Sequence, residues 1–100
     1  MGISSRLSND GKEVVIDVSG RFDFSLQKEF RDAYRDYDGG LSYRVDLSNA
    51  EYMDSSALGM LLLLRKHAGD VSQRVRLTGA NGTVKKILEV ANFDKMFALA

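Results

Sequence analysis

From Ala57 to Leu64 the chain is apolar at every position but Gly59; the run is entered through Asp54-Ser55-Ser56 and left through Arg65-Lys66-His67. Ala, Leu and Met without a β-branched residue among them favour helix over strand. Asp and Ser are good helix caps, because a side-chain oxygen can accept the unpaired N–H groups of the first turn. The cations at the other end suit the negative end of the helix dipole. The run is far too short to span a membrane. Its start gathers two hydroxyls, one carboxylate and a positive dipole end, so any chemistry is expected there.

Projected at about 100° per residue, Ala57, Leu58, Leu61, Leu62, Leu64 and Ala68 form one broad arc, interrupted by Arg65. Ser55, Ser56, Gly59, Met60, Leu63, Lys66 and His67 lie on the other side. Met60 and Leu63 thus share a face with Ser56. Either both faces are buried, or an apolar strip lies exposed beside a modifiable hydroxyl and serves for docking.

The 100 residues suit one domain, with boundaries 1–100. A formal net charge of zero gives no basis for nucleic-acid binding. Without cysteine there is neither a disulfide framework nor a thiolate metal site, which fits a reducing, cytoplasmic setting. The first ten residues are too polar for a signal peptide, and Arg6 stands where a myristoylation signal needs Ser or Thr. No membrane insertion is expected.

Ile3, Ser5 and Leu7 alternate as a weak strand, and Asn9-Asp10-Gly11 signals a hairpin. Val14, Ile16 and Val18 predict a second strand ending at Gly20. Asp23 or Ser25 caps a helix with an apolar stripe at Leu26, Phe30, Ala33, Tyr34 and Tyr37, stopped by Asp38-Gly39-Gly40. Tyr43, Val45 and Leu47 give a third strand, the serine-headed helix follows, and Val75 and Leu77 belong to a fourth. Asn81-Gly82-Thr83 opens a helix carrying Val84, Ile87, Leu88 and Ala91; the glycosylation sequon there reads better as a cap. Asn92 suits a left-handed stop, and Phe93, Met96, Phe97 and Leu99 form a last apolar turn. A hairpin followed by alternating helices and strands predicts an α/β fold, a mixed four- to five-stranded sheet with helices packed on it.

Val45-Asp46-Leu47-Ser48 followed by Tyr52-Met53-Asp54-Ser55-Ser56-Ala57-Leu58-Gly59 resembles the signature of the STAS domain of bacterial anti-sigma factor antagonists. Gly20-Arg21-Phe22-Asp23 resembles the family's Gly-Glu-Leu-Asp element, and Asn92-Phe93-Asp94-Lys95-Met96-Phe97 its Gly-Leu-Asp-x-Leu-Phe ending. Ala57 stands where Gly is common, and Asn92 replaces a Gly; both suit their local geometry. The resemblance covers essentially the whole chain. It implies a phosphoprotein of partner switching, a signal-transduction device for transcription regulation. Such a protein binds an anti-sigma factor, often itself a serine kinase, when unmodified. Phosphorylation releases it, and a PP2C-type phosphatase resets it. The family's phosphorylated serine directly follows the Asp, which is Ser55 here; Ser56 is the alternative. Asp54 and Asp23 would flank the switch, and Ser56, Gly59, Met60 and Leu63 would meet the partner.

An enzyme is not expected. A nucleophilic serine needs a base in hydrogen-bonding reach, and the single histidine, His67, lies roughly 18 Å along the same helix from Ser55. No phosphate-binding glycine loop or metal-ligand cluster is present in the sequence, so no cofactor is implied. A different class of function, also implied by the resemblance, is a structural or regulatory subunit of a membrane transport complex. In that setting the serine would be only a cap.

Overall fold

The hairpin comes first: in the computed structural model, which describes residues 2–99, strand β1 (Ile3–Leu7) runs antiparallel to β2 (Glu13–Phe22). Helix α1 (Gln27–Tyr34) then leads to β3 (Ser42–Met53), and helix α2 (Ser55–His67) to β4 (Val75–Thr78). Helix α3 (Gly82–Val90) leads to a two-residue strand, β5 (Ala98–Leu99). Short 3-10 turns stand before α1 (Phe24–Leu26), before β4 (Ser72–Arg74) and before β5 (Phe93–Lys95). The described strands form a five-stranded mixed sheet in the order β1-β2-β3-β4-β5, with every pair after the first parallel.

Parallel neighbours joined by right-handed crossovers in this order put every helix on the same side of the sheet. Burial follows. Val14, Ile16, Val18, Tyr43, Val45, Leu47, Val75 and Leu77 form the inner face and are all buried. The residues between them point to the opposite face and are mostly charged. There Glu13 accepts from Arg44 at 3.5 Å and from Arg76 at 2.9 Å, tying β2, β3 and β4 together, and Arg6 pairs with Asp17. Val15 is the buried exception on that face; its cross-strand partners are Arg6 and Arg44, whose aliphatic stems can cover it.

Three expectations change. Helix α1 stops at Tyr34, short of the Tyr37 expected from the stripe, and Asp38 accepts the Gly40 amide at 2.8 Å in a tight turn. Strand β2 runs through Gly20 to Phe22, and β3 runs past Leu47 to Met53. The register passes from Asp17↔Asp46 to Ser19↔Asn49, and from Gly20↔Ala50 to Arg21↔Tyr52. Each shift inserts an extra residue into β3, so its inward residues become Leu47, Ala50 and Met53 instead of alternating.

The third change concerns α2. Its buried residues are Ala57, Met60, Leu61 and Leu64, with Ala68 buried just beyond. Met60, expected on the outer face, is only 4% exposed, whereas Leu62, expected inside, is 40% exposed. The helix is rolled toward α1: Met60 and Leu63 share a groove with Phe30 and Tyr34. On its other flank Arg65 donates to the Met96 carbonyl at 2.9 Å. At the left-handed Asn92 (φ 61°) the chain turns into the buried, stacked pair Phe93 and Phe97, which closes the far edge of the core.

Candidate functional site

Strands β2 and β3 end side by side. Phe22 pairs with Met53, and the Asp54 amide donates to the Phe22 carbonyl at 3.2 Å. The two acids named from the sequence, Asp23 and Asp54, are the residues immediately after this pair. They therefore stand at neighbouring chain exits at one end of the sheet, beyond its inner strands, and each starts a helical segment.

Asp54 is the cap of α2. Its backbone is extended (φ −105°, ψ −176°), and its Oδ1 accepts the Ala57 amide at 3.0 Å. Ser55 and Ser56 thus occupy the first two helical positions, and neither hydroxyl has a hydrogen-bond partner among the described residues. Ser55 is exposed, in line with Gly59, Leu62 and Lys66 on the outermost stripe of the helix, all of them exposed. Ser56 is half-buried and lies one and two turns above Met60 and Leu63, toward α1. A Cβ built on Gly59 would meet nothing within 4 Å, so no neighbour in the fold requires glycine there.

Asp23 caps the turn before α1. Its Oδ1 accepts from the Ser25 hydroxyl at 2.6 Å and from the Ser25 amide at 3.0 Å. The hydroxyl bond, then the amide bond, hold its carboxyl below the ordinary aspartate value. Arg21 sits 3.8 Å from Asp23 and 4.6 Å above the Tyr52 ring, adding a cation at this end of the sheet. Phe24, 64% exposed, projects from the same turn. Sequence reasoning passed over Arg21 and Phe24. The available signal was that Phe24 falls outside the stripe that otherwise accounts for the large apolar residues of α1.

Of the residues expected to meet a partner, Ser56, Gly59 and Leu63 reach the surface; Met60 is buried against α1 and shows only as part of the groove it shares with Leu63, and Leu62 is exposed as well. His67 lies at the opposite end of α2 from the serines. Its Nε2 is 2.9 Å from the Tyr37 carbonyl, and its ring packs on Tyr34 and Tyr43. Among the described residues there is no cluster of His, Asp and Glu that could hold a metal, and no helix long and apolar enough to cross a membrane.

The family model described as "Mlab, STAS domain" matches residues 5–99. A STAS-domain containing protein of Pseudomonas aeruginosa (strain UCBPP-PA14) is 48% identical over 101 residues, covering 100% of both chains. The anti-sigma factor antagonist SpoIIAA in its unphosphorylated form superposes with a TM-score of 0.74 at 19% identity, over 99% of this chain and 87% of that one. The Bacillus cell fate determinant SpoIIAA in its phosphorylated form gives 0.67 at 18%, over 99% and 91%. At such identities the structures speak for the fold, and the family rests on the sequence matches. The chain belongs to the STAS-domain family.

Proposed function

We propose that this protein is an anti-sigma factor antagonist worked by partner switching. Unmodified, it binds an anti-sigma factor, itself a serine kinase or served by one. Phosphorylation of Ser55, with Ser56 as the alternative, releases it, and a PP2C-type phosphatase restores the binding form. The observation that carries this reading is that Asp54 does the capping. Neither serine hydroxyl bonds another described residue, and the capping bond to the Ala57 amide is made by Asp54. That argues against a serine retained only as a cap.

The electrostatics give the switch its direction. A phosphoryl group brings nearly two negative charges. At the start of α2 the dipole and the free first-turn amides favour an anion, so the helix stays intact. Burial of the same surface against a partner is what the charge opposes. An uncompensated charge in an interface costs several kcal/mol, and about 1.4 kcal/mol is tenfold in affinity, so a loss of about two decades needs no refolding. Asp54 and Asp23 add like charge beside the modified residue.

The test is to incubate the purified protein with a cognate kinase and ATP, follow the phosphoryl adduct by intact mass, and titrate the partner before and after. Ser55→Ala should prevent the adduct and keep binding. An adduct that persists on Ser55→Ala and maps to Ser56 reassigns the switch to the neighbouring serine. Failure of both single variants and of the wild type to take phosphate, with the partner still bound, rejects the switch.

A further inference from the structure

Helices α1 and α2 start at the same end of the sheet and run alongside one another, leaving a groove of about 240 Å³ between them. Its floor is Phe30, Tyr34 and Met60, its outer lip is Leu63, and Lys28 and Arg31 stand on the α1 bank. Enclosed small-molecule sites usually measure about 300–1,000 Å³. This groove is smaller and only partly enclosed, a shape suited to side chains of a docked segment.

The charges of α1 are sorted by face. Glu29 and Asp32 line a separate depression beside β1, where Asp32 is shared between Lys28 at 3.6 Å and Arg35 at 3.4 Å. Arg31 has no carboxylate partner among the described residues and stands on the groove bank. On the α2 bank Leu63 is 55% exposed. A strip with an apolar floor and cations along it complements an acidic amphipathic helix, whose apolar residues recur at i, i+3 or i+4 and i+7.

We propose that the α1–α2 groove is the docking site for an acidic amphipathic helix of a partner protein, with apolar side chains seated over Met60 and Leu63 and carboxylates facing Lys28 and Arg31. Ser56, in line with Met60 and Leu63, is at the head of the same groove. A phosphoryl group at the start of α2 would then repel the acidic segment and compete for the bank cations. The proposal rests on the antagonist reading for this last link only; the groove and its occupant stand on the unmodified chain.

The test uses the unmodified full chain, isotope-labelled for NMR, and a synthetic helical peptide with leucines at i, i+4 and i+7 and glutamates on its flanks. Saturable shifts confined to the Lys28–Tyr34 and Met60–Leu63 amides are expected. The same peptide with lysines in place of glutamates should bind at least about tenfold more weakly, and Arg31→Glu, an exposed change, should reverse that preference. Raising the salt should weaken the acidic peptide. Equal binding of both peptides, shifts centred on Phe24 or Val90, or filling of the groove by dodecanoate with no response to the peptide overturns the proposal. A chain that takes the acidic peptide but no phosphate rejects the switch and supports the groove; a phosphorylatable chain that ignores the peptide does the opposite.

Discussion

The Asp54 carboxylate accepts the Ala57 amide at 3.0 Å, so Asp54→Ala is expected to cost about 0.5–2 kcal/mol of stability. Ser55→Ala and Ser56→Ala, which remove unbonded hydroxyls, should each stay within about 0.5 kcal/mol. Thermal melts of the three variants check the division between cap and switch. Had a serine been the cap, the order would be reversed. Gly59→Ala should raise stability by about 0.5–1 kcal/mol, since glycine is costly within a helix and a Cβ there meets open space. If affinity for the partner falls while the melt improves, the glycine is there for close approach at the interface. Asp23 titrates below its ordinary value because the Ser25 hydroxyl, and then the Ser25 amide, favour the charged form. A lowered pKa in the folded state stabilises above the unfolded value and is lost as pH falls through the folded one. Ser25→Ala should therefore raise the Asp23 pKa, read from its carboxyl carbon by NMR, and reduce the extra stability gained between strongly acid and neutral pH.

Helix α2 shows where element-level reading of the sequence works and where it stops. Its start and its end could be read, because Asp54-Ser55-Ser56 and the terminal cations are local signals; which of the three residues caps it could not, because Asp and Ser cap alike. Its facing was legible only in part: Ala57, Leu61, Leu64 and Ala68 are buried and Leu63 is exposed as projected, but a nearly unbroken apolar run gives periodicity too little contrast to place Met60 and Leu62. What decides the roll is tertiary: Met60 turns in beside Phe30 and Tyr34 of α1, and Leu62 turns out. Strand β3 failed differently. Its first half alternates and was legible; beyond Leu47 two inserted residues break the alternation, and the inward set Leu47, Ala50, Met53 looks like neither a strand nor a helix in the sequence. The roll of α2 sets the fourth expected outcome. Leu63→Glu should change stability by no more than about 0.5 kcal/mol while cutting partner affinity. Met60→Glu and Leu61→Glu bury a charge and should each cost several kcal/mol. Paired melts and binding titrations decide; a Leu63→Glu chain that unfolds with the other two refutes an exposed docking lip.

In the whole molecule, helices cover one face of the sheet and charged side chains the other, so the single core depends on being closed at its edges. Phe93 and Phe97, both 3% exposed and stacked at 5.1 Å, provide that closure beyond α3. Phe97→Ala is expected to cost about 3–5 kcal/mol, a large part of the roughly 5–15 kcal/mol that holds a domain of this kind together. Chemical denaturation with an unchanged m-value would attribute the loss to packing alone. The position of the strands in space repeats their order along the chain, and this bears on how the protein is made. As the polypeptide leaves the ribosome, each new strand finds the one it must pair with already synthesised and exposed at the growing margin. No later segment has to be threaded between two earlier ones. Assembly can then advance in the direction of translation, with the nascent chain always offering one unfinished edge to the next strand.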